Sequence, residues 1–205
     1  MTDEMIDIYD SEMNLLGVAM KSQAHKEGLW HKAFHCWIIS EDGNIWLQLR
    51  GKNKQLYPDL LDISCAGHIQ VGEAVKTGGL RELEEELGLH LKENDLIKMF
   101  THKLVIDKPI INREFCSTYL YKTQTKIYDL KLQENEVDGI YEVDIQDLID
   151  LFFDDTEKIT IKGIKRTKDG YEKEEKEIDK NAFCPYGDKY YQKVFTTIQR
   201  FIDNQ

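Results

Sequence analysis

The chain has 205 residues, of which 41% are hydrophobic and 10% aromatic, enough to bury the core of one α/β domain and too apolar for a disordered segment. Its formal net charge is −11 and its sequence pI about 5.0. That balance excludes duplex nucleic acid as the expected partner, because phosphate backbones are met by a basic footprint; a small anion stays compatible if a metal cation carries the attraction locally.

Residues 1–10 carry Asp3, Glu4, Asp7 and Asp10 and no apolar run, so they do not read as a secretory signal. No stretch is long enough to span a bilayer, which points to a cytoplasmic protein with no membrane partner. Met5–Tyr9 and Leu15–Met20 read as two strands around a turn at 10–14. Residues 33–40 (AFHCWIIS) look like a buried strand. Asp42-Gly43 then signals a hairpin into Ile45–Arg50, and 51–58 forms a basic loop. Trp30, Trp37 and Trp46 are expected in the core.

Downstream, 96–107 and 114–122 read as an antiparallel pair turning at Lys108-Pro109. Val137–Val143 is a further strand, and Asp144 suits the N-cap of a helix over 145–153. The stretch 158–177 reads as an added hairpin turning at Lys168-Asp169-Gly170. Its second arm, YEKEEKE, is nearly all charge, as a solvated edge or flap would be. A closing amphipathic helix is expected over 188–202. The cysteines Cys36, Cys65, Cys116 and Cys184 lie far apart with no CxxC pair, so they read as reduced thiols.

The chemistry concentrates in 67–89. Leu80, Leu83 and Leu87 recur at i, i+3 and i+7 and share one helical face; Glu82, Glu85 and Glu86, at i, i+3 and i+4, share the opposite one. Gly88 follows as a C-cap. Carboxylates on one stripe repel each other, so the pattern is either a solvated acidic face or the oxygen ligand set of a hard cation such as Mg²⁺ or Mn²⁺.

The stretch resembles the Nudix box, G-x5-E-x7-R-E-U-x-E-E-x-G-U with U apolar. Every fixed position is filled, by Gly67, Glu73, Arg81, Glu82, Leu83, Glu85, Glu86, Gly88 and Leu89. The resemblance implies an α/β fold of the Nudix α/β/α sandwich type with a mixed central sheet. It implies that Glu82, Glu85, Glu86 and the backbone carbonyl of Ala66 hold metal, that Glu73 and Arg81 orient the loop and the carboxylates, and that a diphosphate is hydrolysed with metal assistance. One departure is the pair Gly78 and Gly79, where the family usually has alanines. Each costs roughly 1 kcal/mol relative to Ala in a helix, which close packing on a neighbour or a late helix start would explain.

A second resemblance, over about residues 5–155, is to type I isopentenyl diphosphate isomerase and its hydrolase relatives. It rests on His25 and His31 flanking KEGLW, on Arg50-Gly-Lys52-Asn-Lys54, and on Asp62-Ile63-Ser64-Cys65-Ala66-Gly67-His68. By that resemblance His25, His31 and His68 match three metal-binding histidines, and Glu114 matches the later of a glutamate pair. Lys21, Arg50 and Lys54 fall where the diphosphate is gripped. The isomerase's catalytic cysteine is replaced by Ala66, with Cys65 one residue off, and Asn112 replaces the earlier glutamate.

The reading is therefore one Nudix domain spanning 1–205: an N-terminal extension over 1–32, a core over 33–155, and a C-terminal hairpin and helix over 156–205. The expected activity is Mg²⁺- or Mn²⁺-dependent hydrolysis of a small X-linked diphosphate, X being a nucleoside, prenyl or cofactor group. Candidate catalytic residues are Glu82, Glu85 and Glu86, with Glu114 and Glu136 as candidate bases. Candidate substrate contacts are Lys21, His31, Arg50, Lys54 and His68. A homodimer is compatible with this reading. The alternatives are a Nudix-fold module that binds without cutting and an isomerase-like enzyme.

Overall fold

The computed structural model describes residues 3–108 and 111–204. Eleven strands among these residues form one sheet: β1 (Met5–Tyr9), β2 (Leu15–Met20), β3 (Trp30–Ser40), β4 (Ile45–Arg50), β5 (Leu61–Asp62), β6 (Cys65–His68), β7 (Ile97–Ile106), β8 (Asn112–Thr123), β9 (Val137–Val143), β10 (Ile159–Thr167) and β11 (Gly170–Ile178). The helices are α1 (Lys21–Glu27), α2 (Val75–Leu87), α3 (Ile145–Phe152) and α4 (Asp188–Asp203).

The long strand β3 organises the sheet. β8 runs parallel to it from His31↔Glu114 to Ser40↔Thr123. The remaining partners are antiparallel and follow one another along the chain: β1 at Tyr9↔Trp30 and Ile8↔His31, β6 from Ala33↔His68 to Cys36↔Cys65, and β4 at Ile39↔Ile45. β9, β10 and β11 extend the sheet beyond β4, and β7 pairs with β8. The sheet is mixed, as the parallel β3–β8 ladder among antiparallel pairs requires.

Helices cover both faces. Leu83 and Leu87 of α2 bury against Phe34, Cys36 and Ile38 of β3 and Cys65 of β6. On the other face Trp37, Leu47 and Tyr141 pack under α3 and α4 through Leu148, Phe152, Tyr191, Val194 and Phe195. Both layers follow from strand alternation, which sends odd and even residues of β3 to opposite faces. Trp37 and Trp46 are fully buried and Trp30 partly so.

Most of the strand and helix spans read from the sequence recur within a residue or two. The N-cap at Asp144 is made by its carboxylate, which accepts the Gln146 N–H at 2.7 Å. The turn expected at Lys108-Pro109 includes Pro109, outside the described residues. Helix α1 was not anticipated: it is short, begins straight out of β2 with no side-chain cap at Met20, and has no apolar stripe to announce it. The helix over the box starts at Val75, ahead of both glycines, so a late start is not their explanation. A Cβ on Gly79 would overlap the Phe34 ring, and one on Gly78 would press on Glu73 and Ile69. Gly79 lets α2 lie close against β3, and Gly78 lets it lie close against the loop after β6.

Candidate active site

Strand β6 divides the site. Opposite residues on paired antiparallel strands share a face. Cys65 and Gly67, facing Cys36 and Phe34, therefore point toward α2, while Ala66 and His68, facing His35 and Ala33, point the other way.

On the α2 side lie the box carboxylates. Gly67 sits hard against α2: any Cβ there would overlap the Glu82 side chain. The Arg81 guanidinium ties the group together. Its NH1 donates to Glu82 at 2.8 Å and to Glu85 at 3.2 Å, its Nε and NH2 donate to the Glu73 carboxylate at 3.3 Å each, and NH2 also reaches the His68 carbonyl at 3.2 Å. Glu73 in turn accepts the Gln70 N–H at 3.1 Å. One arginine thus links the loop after β6, the helix and two of the three stripe glutamates. Gly88 closes the helix in the left-handed region at φ 70°, with its N–H on the Glu84 carbonyl and that of Leu89 on the Leu83 carbonyl.

Glu86 points inward and is buried, accepting Gln48 Nε2 at 3.0 Å. Its carboxyl is raised by burial, against the opposing pull of Lys54, Gln48 and the Cys65 thiol, and Glu136 adds to the rise. Glu82 is pushed up to about 7, first by burial and then by the charge of Glu86, with Arg81 only partly compensating. Glu136 is ion-paired with Lys54. The α2 face thus holds more carboxylate than its cations neutralise, and a divalent ion fits that donor set: hard oxygens on one stripe, with an adjacent backbone carbonyl at Ala66.

On the opposite face four elements converge. His25 from α1, His31 from β3 and His68 from β6 each bring a ring nitrogen, all within 4.8 Å of one another. Glu114 of β8 places Oε1 3.5 Å from His31 Nε2 and 3.4 Å from His68 Nε2, and His25 Nε2 lies 3.3 Å from His68 Nε2. His31 Nδ1 lies 2.9 Å from the Leu29 carbonyl and must donate to it, so its Nε2, which faces Glu114, carries a lone pair whenever the ring holds a single proton. That nitrogen is buried with no hydrogen-bond partner among the described residues. Lone pairs converging without a proton between them are the arrangement a cation would relieve. Burial, then the nearby Lys21 ammonium, lowers His68 to about 3, keeping it neutral. Burial alone would raise Glu114, yet a ring N–H of His31, when that ring is doubly protonated, or of His68, donating to it, holds it well below the usual carboxylate range.

The residues singled out in the sequence therefore fall into two groups and two outliers. Glu73, Arg81, Glu82, Glu85, Glu86, Lys54 and Glu136 gather toward α2. His31, His68 and Glu114 join His25 on the far face. Lys21 is half-exposed and paired with Glu4 at 3.4 Å, near enough to His68 to bear on its charge. Arg50 turns donors inward, onto Asp62 at 2.6 Å and the Leu56 and Tyr57 carbonyls, and so fixes the 51–58 loop.

Two features were missed. Gln48, which anchors Glu86, stood out in the sequence only as a polar residue in an apolar strand. A second buried polar set, in which the Tyr186 hydroxyl donates to Asp62 at 2.8 Å and His35 Nδ1 meets the Tyr190 hydroxyl at 2.8 Å, joins residues more than 100 positions apart and leaves no local pattern.

A family model described as NUDIX domain matches residues 29–162. An uncharacterized Nudix hydrolase of Clostridium acetobutylicum is 33% identical over 97% of this chain and 98% of its own length. An isopentenyl-diphosphate Delta-isomerase of Serratia proteamaculans is 31% identical over 82% of this chain and 91% of its own. Among solved structures, a Deinococcus radiodurans protein superposes with TM-score 0.58 at 18% identity over 71% of this chain and 86% of that one. A MutT protein from Methanosarcina mazei does so with TM-score 0.52 at 14% identity over 85% and 94%; at such identities these two speak to the fold alone.

Proposed function

The chain belongs to the Nudix family, and within it we propose a metal-dependent hydrolase that cuts the diphosphate linkage of a small X-linked substrate, X being a nucleoside, prenyl or cofactor group. The observation that carries this reading is the under-neutralised carboxylate stripe of Glu82, Glu85 and Glu86 against Gly67, with Glu82 pushed up to about 7. Those three side chains and the Ala66 carbonyl would hold Mg²⁺ or Mn²⁺. Once bound, such ions neutralise diphosphate charge and lower the pKa of coordinated water.

The protein's own part is positioning. Arg81 and Glu73 fix the stripe to the loop that carries His68. Gln48 orients Glu86. Glu136, held by Lys54 and close enough to influence Glu86, is the better-placed candidate to take the proton from the attacking water. Glu114 sits with the histidines and serves that cluster. Lys54, which acts on the charge of Glu86, and Lys21, which acts on that of His68, would meet substrate phosphate oxygens. The histidine set would hold a second ion of the kind imidazole favours, such as Zn²⁺, or Mn²⁺ through Glu114. A cytoplasmic location fits the reduced cysteines and small-molecule chemistry.

An isomerase reading is favoured by one observation, the assembled His25–His31–His68–Glu114 set. Against it, Ala66 supplies no proton donor on that face, and Cys65 points toward Glu86 on the other. Purified protein incubated with Mg²⁺ or Mn²⁺ and a panel of nucleotide sugars, nucleoside di- and triphosphates, thiamine diphosphate and isopentenyl diphosphate decides the matter, with products identified by mass. Metal-dependent cleavage lost in Glu85→Gln is expected. Isomerised isopentenyl diphosphate with no cleavage would replace the hydrolase by the isomerase. Ligand-induced thermal stabilisation without turnover of any member would leave a binding module.

A further inference from the structure

The two ends of the main sheet are built differently. At one end β11 carries Glu172, Lys173, Glu174, Glu175, Lys176 and Glu177, a run of charge that discourages another strand from pairing there. The edge strand β7 carries Lys98 and Lys103. At the opposite end β2 reads LLGVAM, with no charge at all in a chain of net charge −11. Leu15 is 62% exposed, Leu16 63% and Val18 51%, and Met5, Met20 and Val71 are exposed beside them. Among the described residues β2 pairs only with β1.

The backbone of this edge is poised to pair. Lys21 N donates to the Glu4 carbonyl at 2.8 Å, one step beyond the Met5↔Met20 register. Hydrogen-bonded pairs alternate along an antiparallel ladder, so Ile6/Ala19 and Ile8/Gly17 follow as the bonded pairs, and the N–H and C=O groups of Val18 and Met20 turn outward.

We propose that β2 is the two-fold interface of a homodimer, in which the β2 strands of two copies pair antiparallel about Val18 and join the two sheets. A strand pairing with itself must be self-complementary. The neutral stretch Leu15–Met20 meets that condition, as a strand of mixed charge would only in one register. The ends complement each other in charge: two-fold pairing about Val18 sets Lys21 of each copy beside the 10–14 turn of the other, which bears the exposed Glu12. The six apolar side chains offer on the order of 500 Å² per copy, which with the strand backbone approaches the about 800 Å² per partner of a standard interface. Because α1 continues directly from β2 and carries Lys21 and His25, the interface also fixes the element that brings His25 to the histidine cluster.

Light-scattering molar mass of the full chain across a concentration series tests this, independently of any activity. The wild type is expected at twice the chain mass. Val18→Lys, at an exposed position, is expected at the monomer mass with an unchanged circular dichroism spectrum, and Glu175→Lys on the far edge is expected to remain dimeric. A wild type that stays monomeric throughout, a dimer that survives Val18→Lys, or assemblies larger than two would each overturn the proposal.

Discussion

The two faces of β6 teach different lessons about how a site is made. Toward α2, the three stripe carboxylates come from one helix, and the group is short of positive charge: burial and mutual repulsion lift Glu82 to about 7 and raise Glu86. Across the strand, donors come from α1, β3, β6 and β8, and the charge runs the other way, with Glu114 held ionised among imidazoles and His68 kept neutral down to about 3. On the proposed function, the first set would be completed by gaining a cation. The second has one carboxylate already in place and lone pairs to spare. The sheet lets both exist a residue apart because consecutive side chains of β6 leave it in opposite directions.

The sharpest way to break this contrast is to neutralise one carboxylate. Glu86→Gln is isosteric and keeps the Gln48 contact within reach, so the fold is expected to persist while metal-dependent turnover falls by on the order of 10²–10³, the loss typical of removing one group that stabilises transition-state charge. Steady-state rates at saturating Mn²⁺ measure it. A variant within a few-fold of wild type would mean that the α2 face is not where the chemistry occurs.

The opposite charge habits also predict opposite limbs in a stability–pH profile of the metal-free protein. Glu82 has its folded pKa raised from 4.5 to about 7, so the fold binds the extra proton. Its contribution is fully present below 4.5 and is lost as pH rises to about 7, by about 3 kcal/mol. His68 has its folded pKa lowered from 6.5 to about 3, so its contribution is present above 6.5 and is lost as pH falls toward 3. Glu114, lowered as well, works in the same direction as His68. Urea unfolding from pH 4 to 8 is expected to show the neutral-side loss disappear in Glu82→Gln and to be offset by added Mg²⁺. A profile of the same slope in wild type and Glu82→Gln would refute the assignment.

Packing at the α2 face gives a smaller effect, and it bears on what could be read from the chain. The glutamate stripe and its leucine counterpart are visible because a helix repeats every 3.6 residues and all the participants lie within one element. The two glycines were visible as an anomaly, but which neighbour demanded them was not, since Phe34 lies 45 positions away and only folding brings it to Gly79. Gly79→Ala should gain roughly 1 kcal/mol in helix propensity and lose more to overlap with the Phe34 ring, a net destabilisation of about 1–2 kcal/mol. Combining it with Phe34→Leu should recover part of that loss if the clash is the cause. The inward partners of Arg50, Asp62 and the carbonyls of a turn-rich loop, were not legible in the sequence for the same reason: they follow no periodicity. The histidines were reached through family resemblance and by no local rule, because four elements contribute one residue each.

The smallest effect on turnover is expected on the histidine face, and that smallness is itself the test of the division. If hydrolysis takes place against α2, His68→Ala should leave the rate within about threefold, the level of change expected when an indirect contact is lost and no group aimed at developing charge is removed. Its signature should lie elsewhere. Counting bound Mn²⁺ or Zn²⁺ by elemental analysis should show one fewer ion per chain than wild type, since His68 lies within reach of both other histidines and of Glu114. The acid limb of the stability profile should flatten in the same variant. A large loss of hydrolysis with an unchanged ion count would instead join the two faces functionally. His68 would then act on the substrate itself, from a backbone whose carbonyl accepts a hydrogen bond from Arg81.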